Sequence, residues 1–296
     1  MQDALRREVM LGLWFAFEID APRAHSPMRL TSHLPPESAS VPALTFYVEC
    51  LRILDAAGIP FLVGGAFALK HYGKLVRDTK DLDLMTTRVH VDRALVALEA
   101  GGCETDLRFP HWLAKAYSPT SSDFIDLIFN SGNGLTPVDD TWFARAETGR
   151  LLGRDVRVCP PEETIWSKAF VMERERYDGS DVAHLLCALR HRLDWKHLLA
   201  RFGDQWAVLL SHLVLFGFIY PAEAAEVPAW VMDDLVARLK SSREHAPRER
   251  VCGGTLLSRE QYLVDLERGY RDARLAPVGG MSPEQIAAWT AAIHEE

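Results

Sequence analysis

The sequence predicts an α+β fold: a mixed β-sheet core with helices, followed by a mainly α-helical C-terminal region. Three observations carry that prediction. Short apolar or alternating segments interleave with segments of helical spacing up to about residue 160, the pattern of a layered sheet-and-helix fold. After Pro160-Pro161 only helical spacing continues. The chain has 296 residues, 48% of them apolar and 25% charged, enough to build a full core without covalent staples. The expected organisation is an N-terminal extension and linker over residues 1–42, a core over 43–160 and a helical domain over 161–296.

In the extension, Met10 to Phe17 is apolar but flanked by Glu8 and Glu18, with no small-residue cleavage site behind it. It reads as a weak amphipathic helix rather than a signal peptide. Residues 19–42 are rich in Pro, Ser and Ala and read as a linker, within which Met28 offers an internal translation start.

From Leu44 to Ala57 apolar residues fall at helical spacing, and Gly58-Ile59-Pro60 ends the run. Phe61-Leu62-Val63 is a short strand leading into Gly64-Gly65, after which Ala66 to Tyr72 reads as a helix closed by Gly73. Asp81 to Met85 alternates polar and apolar, the period of a half-buried strand. Val89 to Ala100 is helical, and Asp123 to Phe129 is another strand. Helical spacing then marks Glu162–Arg174, Asp181–Arg192, Trp195–Phe202, Gln205–Phe218 and Trp230–Leu239. Ser258 with Gln261, and Ser282-Pro283 with Gln285, have the spacing of capping boxes.

Composition narrows the function. With 33 basic and 41 acidic residues the net charge is −8, which disfavours nucleic acid as a partner. Five scattered cysteines exclude a disulfide framework and any zinc site built on cysteine pairs, and suit reduced thiols and a cytoplasmic location. The longest apolar run, Trp206 to Tyr220, falls short of the roughly 20 residues that a bilayer requires, so no membrane span is expected.

The chemistry concentrates between residues 63 and 126. A strand that breaks at Gly64-Gly65 and restarts as a helix places bare backbone N–H groups at a helix N-terminus, where phosphate oxygens approach closely. Asp81 and Asp83, two apart on a strand, project from one face and suit hard cations such as Mg²⁺. Asp126 stands on a second strand between Ile125 and Leu127 and supplies a third carboxylate. Taken singly, the Gly pair also fits a tight turn, the two aspartates an exposed edge strand, and Asp126 a buried ion pair. Their joint order argues for metal-assisted phosphoryl transfer.

The pattern Gly64-Gly65-x-(…)-Gly73-(…)-Arg77-x-Thr79-x-Asp81-Leu82-Asp83, followed by the Asp126 strand, resembles the polymerase-β-like nucleotidyltransferase superfamily. Within it the spacing is similar to that of lincosamide and minimal nucleotidyltransferases and of nucleotidyltransferase toxins of abortive infection systems. The resemblance covers about residues 60 to 130. It implies a nucleotidyltransferase-type mixed sheet and transfer of an NMP from an NTP such as ATP to an acceptor hydroxyl, with release of pyrophosphate. The implied acceptor is a small molecule or protein. It further implies that Gly64 and Gly65 line the triphosphate, that Asp81, Asp83 and Asp126 hold two Mg²⁺ ions, and that Arg77 and Lys168 lie near the nucleotide. The chain departs from many members in having Ala66, where they carry a serine hydroxyl beside the glycine. The alternative reading is a nucleotide-binding regulatory or toxin–antitoxin component on the same fold, without turnover or acting on tRNA.

In the helical half, Glu162-Glu163 is explained by a helix dipole, Asp181 by capping or by orienting a partner, and His184 by packing. Arg190, His191, Arg192, Lys196, His197 and Arg201 form a locally basic stretch, read as a solvated helix face before an anion site. Trp195, Trp206 and Trp230 read as core, and Cys252-Gly253-Gly254 as a turn.

Overall fold

The computed structural model describes residues 41–73, 75, 81–244 and 249–294. Arg77, Thr79, the Met10–Phe17 stretch, Met28 and the linker up to residue 40 lie outside the described residues, while the last two residues expected in the linker, Val41 and Pro42, already belong to a helix. Helix α1 (Val41–Ala56) leads into β1 (Leu62–Val63), α2 (Gly65–Gly73), β2 (Asp81–Met85) and α3 (Arg88–Ala100). There follow β3 (Glu104–Phe109), β4 (Leu113–Tyr117), β5 (Phe124–Ile128), α4 (Asp140–Arg145), β6 (Glu147–Leu151) and β7 (Arg154–Val158). The seven strands form one sheet in the order β3-β4-β5-β2-β1-β7-β6. The sheet is mixed: β2 runs parallel to β5 and β1 to β7, while the other neighbours are antiparallel.

Strand period sets the two faces. Leu82, Leu84, Ala114, Ala116, Ile125 and Leu127 are fully buried on the face that α1 and α3 cover. The intervening residues, Asp81, Asp83, Met85, Lys115, Asp126 and Ile128, point the other way and are half-buried.

After β7 the chain is mainly helical: α5 (Pro161–Lys168), α6 (Gly179–Leu189), α7 (Trp195–Phe202), α8 (Trp206–Ile219), α9 (Pro221–Ala224) and α10 (Ala229–Glu244). Helix α6 packs on α2 and so ties this half to the start of the sheet. The stretch Trp195–Ile219 is long and apolar enough, by length and composition, to cross a membrane. A 3₁₀ turn at Gly203–Gln205 interrupts it, and Leu209, Leu210, His212, Leu213 and Phe216 are buried within the fold. A final segment holds β8 (Val251–Cys252), α11 (Leu263–Glu267), β9 (Arg271–Asp272) and α12 (Pro283–Ala291). Ser282 and Gln285 form the expected reciprocal capping box on α12.

Several elements differ from the sequence reading. The helix expected over Glu162–Arg174 stops at Lys168, and Met172 bridges to Tyr177 in a tight reversal instead. Ser258 Oγ accepts from Gln261 N–H at 3.2 Å, but the helix begins only at Leu263, so Ser258 closes a turn. Cys252-Gly253-Gly254 does follow a strand, β8, and enters a 3₁₀ turn. Trp230 is 45% exposed rather than core, whereas Trp142 is 1% exposed.

Candidate active site

Strands β2 and β5 lie side by side in parallel register, with Asp83 opposite Asp126. Because their neighbours Leu82, Leu84, Ile125 and Leu127 take the covered face, Asp81, Asp83 and Asp126 share the other. Their carboxylate oxygens lie within 4.8 Å of one another. At that separation two like charges repel by roughly 3 kcal/mol at an effective dielectric of about 20. Burial, with the charges of Asp81 and Asp126 beside it, pushes the Asp83 carboxyl up to about 7. Burial also raises Asp126, against the pull of Lys115. A set of hard oxygen donors under mutual repulsion fits a divalent cation such as Mg²⁺.

Lys115 is the residue that the sequence reading missed. It stands opposite Asp126 on β4 and donates from Nζ to Asp126 Oδ1 at 2.7 Å, with its ammonium 4.1 Å from the Phe124 ring centre. Its signal was a lysine alternating with the buried Ala114 and Ala116, which places it on the acidic face.

The Gly pair meets two separate demands. Gly64 N–H donates to Asp83 O at 2.9 Å, joining β1 to β2. Gly65 opens α2 at φ +53°, and a Cβ there would lie 1.7 Å from Asp83 Oδ2. Glycine therefore allows the Asp83 carboxylate to lie against the first turn of a helix, where the dipole end is positive.

A cavity of about 740 Å³ opens at this point, with Gly64, Gly65 and Asp83 in its wall. Lys168 also lines it, but donates to Asp178 Oδ2 at 3.0 Å and Asp181 Oδ2 at 2.8 Å. Two of its three N–H groups are thereby committed. Asp181, 2% exposed, is thus an orienting partner of Lys168. Asp178, which sequence reasoning passed over, is held below the usual carboxylate range by Lys168 and Arg176 in spite of burial. Arg176 reaches Asp178 at 3.2 Å from an exposed position in the cavity wall, and its charge acts on both Asp83 and Asp126.

Several other charges of the helical half pair within the chain. Glu162 accepts from Asp194 N–H at 2.7 Å. Glu163 Oε1 accepts from Arg201 Nε at 3.1 Å and lies 2.6 Å from His197 Nε2. Arg201 also forks onto Asp139 at 2.7 and 2.8 Å. Arg190 and His191 pair with Glu226, and Arg192 with Glu147. The dipole account of Glu162 and Glu163 is therefore incomplete: both are buried and tie α5 to the segment around α7. His184 lies 6.4 Å from the Tyr220 ring, a packed histidine.

Residues 47–162, which hold this entire acidic cluster, match the family model of aminoglycoside-2''-adenylyltransferases. This segment, under half of the chain, is similar to that family. Among solved structures, this chain is similar to the antibiotic-resistance factor ANT(2'')-Ia in solution. Identity there is 19%, over 59% of this chain and 98% of that one, with a TM-score of 0.40. A nucleotidyltransferase-like protein from Paracoccidioides brasiliensis is 19% identical over 64% of this chain and 93% of that one, with a TM-score of 0.42. The lincomycin-bound lincosamide antibiotic adenylyltransferase LnuA is 14% identical over 48% and 94%, with a TM-score of 0.35. No curated protein matches the chain.

Proposed function

We propose that the chain is a metal-dependent nucleotidyltransferase that moves an NMP, with ATP as the favoured donor, from an NTP to an acceptor hydroxyl and releases pyrophosphate. The observation that carries the reading is the meeting of Asp81, Asp83 and Asp126 within 4.8 Å, with Asp83 beside the glycine-opened N-terminus of α2 in the wall of the cavity. Asp81, Asp83 and Asp126 would hold the Mg²⁺ ions, two in number. When bound, such ions lower the pKa of an attacking hydroxyl and neutralise the leaving pyrophosphate.

The chain's own residues supply position and charge. Gly64 N–H is spent on Asp83 O, so the first turn of α2 from Gly65 onward would supply the backbone N–H groups for phosphate oxygens. Lys115 fixes Asp126 through its 2.7 Å bond, so the third carboxylate keeps one orientation. Lys168, clamped by Asp178 and Asp181, retains one N–H for a phosphate oxygen. Arg176 adds an exposed guanidinium in the same wall. Arg77, placed near the nucleotide by resemblance, completes the proposed set. The acceptor is proposed to be a small molecule, seated in the cavity beside the acidic cluster.

The test is calorimetric binding of ATP, CTP, GTP and UTP with and without Mg²⁺, on the wild type and on the Asp81→Asn/Asp83→Asn double variant. Mg²⁺-dependent binding that the variant loses supports the reading and names the nucleotide. A wild type that binds none of the four overturns it.

A further inference from the structure

We propose that the acceptor is an uncharged, hydroxyl-bearing compound with a flat apolar ring, received on an aromatic wall that Trp112 and Trp289 build next to the acidic cluster. The proposal rests on the nucleotidyltransferase reading and specifies its acceptor class.

The wall is placed by strand register. Ile128 lies two residues beyond Asp126 on the same face of β5, and Leu113 pairs with it across β4. Leu113, Phe109 and Ala292 form a small apolar cluster of their own, with Trp112, Ile128 and Trp289 packed against it. Trp112 therefore stands at the β3–β4 turn, three residues before Lys115, the register partner of Asp126. Its ring stacks on Phe109 with centroids 5.6 Å apart and planes 14° from parallel. Trp289 arrives from α12, far outside residues 47–162, and covers Gly132 so closely that a Cβ there would lie 2.3 Å from its ring. Both indoles remain only half-buried and line the cavity, with Ile128, Phe170 and Ile293.

Trp112 Nε1 is buried without a partner, while other polar groups of the lining are engaged. Asn133 donates to Leu256 O at 2.7 Å and accepts from Ser131 and Leu135, which closes the 130–136 loop on itself. Each lining carboxylate that is not exposed, other than Asp83, answers a cation of this chain: Glu173 with Arg259 at 3.1 Å, Asp178 with Lys168 and Arg176. A polycationic acceptor would find Glu175 and Glu260 as the exposed carboxylates of the lining, whereas a neutral ring gains contact by covering the indoles.

The experiment uses two probes, 4-nitrophenyl β-D-glucopyranoside as a neutral aryl polyol and neamine as a hydroxylated polycation. Each is titrated against the full chain with ATP and Mg²⁺ present, following tryptophan fluorescence and pyrophosphate release. The aryl glycoside is expected to quench saturably and to bind more tightly than neamine. Trp289→Ala is expected to weaken it at least tenfold, Trp289→Phe to recover most of that loss, and ATP–Mg²⁺ affinity to stay within twofold in both. Tighter binding of neamine, no saturable effect of the glycoside, or its unchanged affinity in Trp289→Ala overturns the proposal. Calorimetric ATP–Mg²⁺ binding is measured separately, so a failure of the nucleotidyltransferase reading shows there and not in the probe titrations.

Discussion

Two groups of buried acids in this molecule have opposite fates. In the helical half, Glu163 is 0% exposed at its side chain and lies between His197 and Arg201, whose guanidinium continues to Asp139. In the sheet, Asp81, Asp83 and Asp126 crowd together, with Lys115 hydrogen-bonded to Asp126. The first group is neutralised by its own chain and holds α5 against α7. The second sets three carboxylates within 4.8 Å of one another, and their mutual repulsion together with burial holds the Asp83 carboxyl high. Burial alone does not separate the two groups; the distribution of cations around them does.

The strongest way to break that contrast is to remove charge from the sheet group. Asp81→Asn or Asp83→Asn is expected to lower pyrophosphate release at least a thousandfold, about 4 kcal/mol of lost transition-state stabilisation. Thermal melting without metal should be unchanged or higher, because a repulsive charge is gone. Persistent turnover, or a large loss of apo stability, would place these aspartates with the structural acids.

The mirror experiment is Glu163→Gln. Removing one partner of a buried, multiply bonded charge costs about 3 kcal/mol, read as a lower urea midpoint with an unchanged slope. Activity below the melting range should stay within a few-fold, since Glu163 does not line the cavity. If activity falls a hundredfold while stability holds, the division between the two groups fails.

That contrast was only half legible in the sequence. Asp81 to Met85 forms the strand that its alternation marks, and Asp126 points to the expected face, because period-two patterning depends on residues adjacent in the chain. Strands β3, β4, β6 and β7 were not foreseen. Segments such as Glu104–Phe109 and Arg154–Val158 carry much charge and lie near the sheet edges, so their pattern is set by partners distant in sequence. The pairing of Glu163 with Arg201 joins residues 38 apart, and Trp289 reaches Gly132 from the far end of the chain. Local pattern gives charge and spacing; whether a charge is answered depends on tertiary contacts.

Gly65→Ala sharpens the comparison at smaller amplitude. The backbone at φ +53° disfavours a side chain by about 1 kcal/mol or more. The added Cβ also occupies the space of the Asp83 carboxylate. Displacing Asp83 is expected to lower turnover about thirtyfold and to weaken Mg²⁺ binding, measured by calorimetry. A Gly65→Ala enzyme with normal Mg²⁺ affinity would show that the close approach of Gly65 to Asp83 has no part in the site.

The smallest expected effect is on pH. In the fold the Asp83 carboxyl is pushed up to about 7 by burial and by Asp81 and Asp126, whereas the unfolded chain holds it near the ordinary value of about 4. The native state then binds the proton more tightly than the unfolded state, so its stability declines as pH rises. The contribution of this group is fully present below about pH 4 and is lost as pH climbs through about 7. Mg²⁺ needs the deprotonated carboxylate, so its stabilisation has the opposite trend and grows over the same window. With free Mg²⁺ at ten times its dissociation constant the gain is about 1.4 kcal/mol, which for a chain of this size raises the melting temperature by roughly 2–4 °C. At pH 8 that shift should be present and at pH 5 nearly absent, while Asp83→Asn removes it at both. An equal shift at pH 5 and pH 8 would mean that Mg²⁺ binds elsewhere, and the surplus charge on the sheet would lose its explanation.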